Sequence, residues 1–585
     1  MLIDHSVSGS LSHKTLLTSQ IENTGALVVH SDLSSPISAL DQLISELESG
    51  PVAVVDARLL TGQAMIDALF VSPWTSSSVL ATKSREPDYD RAARVASKRV
   101  LSSATALHRV SSPTHTLLGV VRLDNSEETL TALKNSRSYL ESLTQDIDFV
   151  DLVTLIVVRS GHEVTVIDPA GLCSRNSDDR DSTVATLEKQ DDTKVRFERA
   201  VRSNDGFYST FVLRKFSRIV TKIALKRGWT PNNITIASLV IAFVASAFFA
   251  TGQHVLLAVG AVLVQLAIIV DCSDGEVARY TGVSSALGAW LDAATDRIKE
   301  YVMYAALALG ASRHHENLWK IVFALIVLQT VRHLSDYNFV AVRGARDAEV
   351  TVVPLAQIVD QGKASAGSLM DASESLNRRR PVYWIKRVIY LPIGERWLII
   401  SIGALLGSPH FIFTTLLTLG ILALGYVSFG RIMRSRTWKH AESVSGCDIV
   451  ERQIDAGPLT QWIFEDGAHP LTGRFGWAVP ALSRLVELGL VAVMCQSYPI
   501  AFWWLFAVSF HHYDTLYRSL SGHTFPRRLT RLGLGVEGRL LVIFLSSLGF
   551  IVPLRDVLIL GGMYFVVLFI GVASRQWIRE LQSAS

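Results

Sequence analysis

Residues 271–296 read DCSDGEVARYTGVSSALGAWLDAATD. Asp271, Asp274, Asp292, Asp296 and Arg279 sit here at the ends of two otherwise apolar stretches. Ionisable groups at membrane depth are costly, so their default reading is functional, with partners nearby. On helices, Asp271 and Asp274 stand i,i+3 and Asp292 and Asp296 stand i,i+4, so each pair projects from one face. Two such faces brought together cannot stay ionised without a cation, because like charges push each other's pKa upward. Oxygen-only ligands select a hard cation, Mg²⁺ or Mn²⁺ rather than zinc. Gly275, Ala278 and Gly288 leave room for a bulky ligand to approach the backbone, and Arg279 offers a fork suited to phosphate.

Outward from this stretch the chain has two characters. Its 585 residues are too many for one ordinary domain. An apolar share of 49% and a mean hydropathy of +0.30 are high for a soluble protein. The apolar residues concentrate after about residue 234, in runs of the length that crosses a bilayer core. Spans are expected at about 234–251, 254–276, 286–310, 317–339, 396–408 and 410–434, the fifth short and therefore tilted or joined to an interfacial segment. The turns near Gly252 and Ser408 lack Lys and Arg, whereas the stretch from Arg343 to Arg396 carries Arg378, Arg379, Arg380, Lys386 and Arg387. The positive-inside rule puts that stretch and the N-terminal domain in the cytoplasm; the turn near Arg313 and Lys320 is the one external loop with basic character. Before the first span, DGFYSTFVLRKFSRIVTKIALKRGW (from Asp205) sets apolar residues at helical spacing beside Arg214, Lys215, Arg218, Lys222, Lys226 and Arg227. It reads as a basic amphipathic helix at the headgroup level, the alternative being a solvated linker helix.

From Met1 to about Ala200 the chain alternates. GALVVH (25–30), PVAVVDARLL (51–60), SSVLATK (77–83), HTLLGVVRL (115–123) and VTLIVV (153–158) read as strands. ALDQLISELESG (39–50) and EETLTALKNSRSYLESL (127–143) read as helices. The alternation predicts an α/β domain with a mostly parallel sheet, followed from Cys173 to about Lys194 by a polar linker. The N-terminus shows no basic and apolar signal-peptide pattern. Cys173, Cys272, Cys447 and Cys495 have no paired spacing, which fits a reducing compartment and excludes a zinc site or disulfide framework by pattern. A net charge of +3 gives no argument for nucleic-acid binding.

The pattern DxxDGxxAR, eight residues, then GxxxDxxxD resembles the signature of the CDP-alcohol phosphotransferase (CDP-alcohol phosphatidyltransferase) family, with every fixed position present. The resemblance covers about 205–435 and includes TPNNIT (230–235), near which family members often carry a similar sequence. It implies a six-helix core with its active site near the cytoplasmic interface of a bacterial-type plasma membrane. Asp271, Asp274 and Asp292 would bind metal; Asp296 would bind a second ion, act as general base on the acceptor hydroxyl, or both. Asn232, Thr235, Asp274, Gly275, Ala278, Arg279 and Gly288 would surround the CDP group. The implied reaction, a step of phospholipid biosynthesis, moves a substituted phosphoryl group from a CDP-linked donor, CDP-diacylglycerol being favoured, to a polar alcohol or alcohol phosphate, releasing CMP. A soluble CDP-polyol donor with a lipid or polyol-phosphate acceptor is the runner-up, and a non-catalytic membrane scaffold is the alternative from another class. Of Arg332, Arg343, Arg378 to Arg380 and Arg396, only Arg396 is favoured for an acceptor phosphate; positive-inside anchoring accounts for the rest. His333 and Asp336 read as packing groups. Relatives with this core are often homodimers.

The flanks resemble catalytic modules without their active residues. Residues 1–200 are similar to the nucleotidyltransferase-like domain fused to some family members, but GALVVHSDLSSP lacks the glycines that would cradle a triphosphate, so a degenerate domain is expected. Asp56 and Asp168 follow strands and are commonplace there. Residues 201–440 form the membrane core, and 441–585 about four further membrane helices. GWAVPALSRLVELGLVAVM (from Gly476) can be laid on AWLDAATDRIKEYVMYAAL (from Ala289), matching Trp477 to Trp290, Arg484 to Arg297 and Glu487 to Glu300. VEGRLLVIFLSSLG (from Val536) echoes IGERWLIISIGALLG (from Ile393), and VSFHHYDTLYR (from Val508) takes the place of VRHLSDYNFVAVR (from Val331). This reads as a degenerate repeat of the third to sixth spans. In it Val479 replaces Asp292 and Ser483 replaces Asp296, and the extra helices either occupy a dimer surface or leave it open. His511, His512 and Asp514 read as packing rather than a metal cluster.

Overall fold

The computed structural model describes residues 1–4, 11–32, 35–71, 76–84, 88–96, 98–143, 147–175, 180–201, 205–283, 285–349, 353–360, 380–438, 453–455, 457, 473–520 and 532–584. The chain divides into two compact units. The first takes in Met1–Ala200 with Arg279–Val283 and Arg346–Asp371, the second Val201–Ala278, Ser284–Ala345 and Ala372–Ser585.

The first unit is built on an eight-stranded sheet. Its strands are β1 (Leu2–Asp4), β2 (His30–Asp32), β3 (Val52–Asp56), β4 (Ser78–Lys83), β5 (Ala92–Ala96), β6 (Arg99–Ser103), β7 (His115–Leu123) and β8 (Thr165–Ile167). They lie in the order β2-β1-β3-β7-β4-β8-β6-β5. The sheet is mixed, not mostly parallel. β1 runs parallel to β2 and β3, and β8 to β4, but β7 is antiparallel to β3, β4 and β5. β5 and β6 form a tight hairpin, which only an antiparallel pair permits. VTLIVV is not a strand; it lies in the helix Phe149–Arg159, buried along its whole length. A continuous apolar run has no period to separate strand from buried helix, and Asp148 decides it by accepting hydrogen bonds from the amides of Val150 and Asp151. Nor is 173–194 all linker: helices cover Arg180–Glu188 and Asp192–Ala200.

The second unit is helical: α1 (Arg214–Lys226), α2 (Pro231–Phe249), α3 (His254–Thr281, whose last residues count with the first unit), α4 (Ala286–Ser312), α5 (Trp319–Glu349), α6 (Arg380–Ile389), α7 (Ile393–Leu405), α8 (Pro409–Ser435), α9 (Val479–Met494), α10 (Tyr498–Leu520), α11 (Gly535–Ser547) and α12 (Gly562–Ala584). Among the described residues, five helical segments are long and apolar enough to cross a membrane: Pro231–Phe249, His254–Thr281, Pro409–Ser435, Gly476–Met494 and Leu554–Arg579. A sixth arises if Val382–Ile389 and Ile393–Leu405, bent by 68°, make one broken span, which is the junction expected for the short fifth span. α4, α5 and α10 form where spans were expected but fall outside that set. In α4 the reason is plain: Asp292, Asp296, Arg297, Lys299 and Glu300 crowd its first half.

Local signals place the site's helices. Thr230 caps α2 by accepting from the Asn233 amide, with Pro231 at the first position. Ser285 caps α4 by accepting from the Gly288 amide at 2.9 Å. At the far end a Cβ on Gly310 would lie 2.3 Å from the Phe249 carbonyl, so only glycine lets α4 come so close to the end of α2.

Candidate active site

Asp271 and Asp274 project from α3 and Asp292 from α4, with ligand oxygens all within 4.8 Å of one another. The set offers only carboxylate oxygen, which fits a hard divalent cation. Around it the chain supplies fixed donors. Thr235 on α2 donates to Asp274 Oδ2 at 2.5 Å, and the Gly275 amide donates to Asp274 Oδ1. Ser238, one turn further along α2, lies 3.1 Å from Asp271 Oδ1 and 3.0 Å from the Ala267 carbonyl. Thr235, expected against the CDP group, thus orients a carboxylate of the acidic cluster. Asn232 and Gly288 do converge: a Cβ on Gly288 would sit 3.6 Å from Asn232 Oδ1.

Asp296 lies outside the three-residue set, one turn along α4 from Asp292. Its Oδ1 is 3.0 Å from Lys299 Nζ, and the same fully buried ammonium donates to Asp271. Lys299 is therefore a cation built into the acidic site. Sequence reading missed it, although its i,i+3 spacing from Asp296 was a signal. Glu276, inside the motif, was also missed. It is fully buried and accepts from Arg214 (2.7 Å), Ser217 (2.7 Å) and Thr221 (2.7 Å), so it docks α1 onto α3. The opposite side of that segment exposes Phe211, Phe216, Ile219 and Ile223 beside its basic residues. Arg279 belongs to the first unit, where its Nε donates to the Ala200 carbonyl at 2.5 Å; its neighbour Ala278 is half-buried.

Arg396, expected at an acceptor phosphate, is committed to the protein. Its Nε and Nη2 donate to Glu300 at 2.7 and 3.2 Å, Nη1 donates to the Leu391 carbonyl, and Glu300 also accepts from Arg297 at 2.9 Å. His333 packs on Tyr513, and Asp336 pairs with Arg431, as packing groups do. His511 stacks on Phe569, and Asp514 binds Trp290 and Arg518.

Residues 229–374 match the CDP-alcohol phosphatidyltransferase family. This segment is a CDP-alcohol phosphatidyltransferase domain. A phosphatidylinositol phosphate synthase of Mycolicibacterium smegmatis is 36% identical over 122 residues, covering 21% of this chain and 54% of that protein. A bifunctional IPC transferase and DIPP synthase of Rubrobacter xylanophilus is 35% identical over 154 residues, 26% of this chain and 33% of that one. The chain thus spans about half or less of the length of these relatives. Residues 465–580 match a family of unknown function. A solved structure described as the inositol-1-phosphate CTP transferase from T. maritima aligns to 31% of this chain and 74% of its own, at 15% identity and a TM-score of 0.22. The CDP-alcohol phosphatidyltransferase segment includes every residue of the acidic site, the ion pair to Lys299 included.

In the first unit Asp56 is occupied. Arg58 donates to it through Nε and Nη2 (2.6 Å), and Arg175, itself buried, donates at 2.6 Å while also holding Asp148 and Asp151. Burial alone would raise the Asp56 carboxyl, but the two guanidinium groups bring it down to about 2.

Proposed function

We propose that the membrane unit transfers a substituted phosphoryl group from a CDP-linked donor, CDP-diacylglycerol, to the hydroxyl of a polar alcohol or alcohol phosphate, releasing CMP. The observation that carries this is the convergence of Asp271, Asp274 and Asp292 on one point beside Asp296. A divalent cation held by the three carboxylates, Mg²⁺ or Mn²⁺ with a second near Asp296, would neutralise the diphosphate and the departing CMP. Asn232, Gly275, Ala278 and Gly288 border the space for the donor. Asp296 takes the proton of the acceptor hydroxyl. The acceptor oxygen then bonds to the donor's distal phosphorus as the bond to CMP breaks. Lys299 holds Asp296 in place by its positive charge.

A phosphatidylinositol phosphate synthase among the similar proteins favours a diacylglyceryl donor and a polyol-phosphate acceptor over the soluble-donor alternative. The exposed apolar side of the segment leading into α1, beside its lysines and arginines, supports an interfacial helix on the basic, cytoplasmic side of a plasma membrane. The two guanidinium groups on Asp56 support a first unit that no longer handles metal and triphosphate.

Purified full-length protein, incubated with CDP-diacylglycerol, labelled CMP and Mg²⁺ or Mn²⁺, is expected to exchange label into the donor. D296N should lose turnover while still binding the donor. Loss of donor binding with chemistry intact, or exchange that ignores divalent cations, overturns the assignment.

A further inference from the structure

The C-terminal helices repeat the Arg–Glu–Arg cluster at the polar core of the acidic half. In the first half Arg297 Nη1 donates to Glu300 Oε2 and Arg396 Nε to Glu300 Oε1. In the second, Arg484 Nη1 donates to Glu487 Oε2 and Arg539 Nε to Glu487 Oε1, each at 2.6 Å. Nη1 of the second arginine donates to a turn carbonyl in both, Leu391 in one and Gly533 in the other. That turn carries a left-handed leucine each time, Leu391 (φ 52°) and Leu534 (φ 64°). α8 runs into SRTW (435–438), and α12 contains SRQW (574–577).

The two halves also meet as two copies related by a twofold axis would. Thr330 on α5 and Ser509 on α10 approach to 3.3 Å, and the hydroxyls of Tyr337 and Tyr517 on the same helices to 3.4 Å. On one side Trp290, at the start of α4, stacks on Trp577 and donates to Asp514 of α10. On the other, Trp477, just before α9, donates to Ser435, while Phe339 of α5 touches both Trp477 and Trp438. Each tryptophan reaches the other half's counterpart of the same two helices. That reciprocity defines an isologous contact.

We infer that residues 476–584 are a built-in second protomer: the chain is a pseudo-dimer with one acidic site among the described residues, and the α5 face that another copy would use is filled by its own α10. The contacts are those of an obligate interface, with aromatic anchors and buried, hydrogen-bonded polar groups. The inference does not depend on the reaction catalysed. It also gives the segment of unknown function a task, because Trp290 stands two residues before Asp292 and Arg297 lies over the Tyr513 ring.

Disulfide trapping in the full chain tests it, with the native cysteines replaced. T330C/S509C and, separately, Y337C/Y517C are expected to oxidise within one chain, giving a faster-migrating monomer. T330C alone should give no covalent dimer. Disulfides between chains from either pair, a T330C-to-T330C dimer, or failure of both pairs to close overturns the inference. The second pair guards against misfolding of the first.

Discussion

α4 and α9 carry the same frame with different chemistry. Both have a tryptophan near their start, and both place an arginine and a glutamate three residues apart beneath a second arginine. Only α4 has Asp292 and Asp296, where α9 has Val479 and Ser483. What the two halves share is what holds helices together; what one half alone has is the acidic pair. Arg396 shows the value of the comparison. Its counterpart Arg539 makes the same bond in a half without the acidic pair, so that bond belongs to the frame.

The largest expected effect separates the halves outright. D292A should lower CMP exchange by a factor on the order of 10³ or more, while V479A leaves it within about twofold. Adding carboxylates as V479D/S483D should not create a second site, since the described residues of the repeat include no counterpart of α2 and α3. An increase in Mn²⁺ stoichiometry in that variant would break the comparison.

Next come the glutamates. E300A strands the buried guanidinium groups of Arg297 and Arg396, and E487A strands that of Arg484 while Arg539 keeps Asp455 at 2.8 Å. Each should cost about 3–5 kcal/mol by chemical denaturation in detergent. Similar losses sharpen the reading of a shared frame, and a loss at Glu300 alone would break it.

A third comparison sets the acidic site against Asp56, whose charge is met by arginines. A folded carboxyl near pH 2 against an ordinary value near 3.8 contributes about 2 kcal/mol, fully present above pH 4 and lost as pH falls through 2. D56N should therefore unfold the first unit more readily at neutral pH and reduce its loss of stability between pH 4 and 2. Mg²⁺ or Mn²⁺ should raise the melting temperature of wild type and of D56N alike, but not that of D271N/D292N.

The smallest effect belongs to the tryptophans. W290F and W477F each remove one indole hydrogen bond and should cost about 1 kcal/mol. Only W290F should also shift the Mn²⁺ midpoint, because Trp290 leads into Asp292.

The acidic motif was legible because charged residues at fixed spacing on apolar helices have few other uses, and three of its aspartates meet as the spacing implied. The tryptophan, arginine and glutamate matches between α4 and α9 were legible for the same reason. The sheet was less so. β1, β5, β6 and β8 are too short, or too polar, to stand out from their surroundings, and Phe149–Arg159 is too uniformly apolar to show a period. Glu276 and the second contact of Lys299 were hidden for another reason: a charge does not announce a partner on another helix, and theirs come from α1 and α3. Asp56 is met by Arg58, two residues along the chain, and by Arg175, 119 residues away, and the second leaves no sign in the sequence.

Lys299 has a consequence for how such a protein is made. Zinc fingers, whose ligands have no other counter-charge, fold only when the ion arrives. Here a buried ammonium bridges Asp271 and Asp296. Part of the counter-charge for the acidic cluster is thus covalently part of the chain, and the packing of α3 against α4 does not wait on an ion alone.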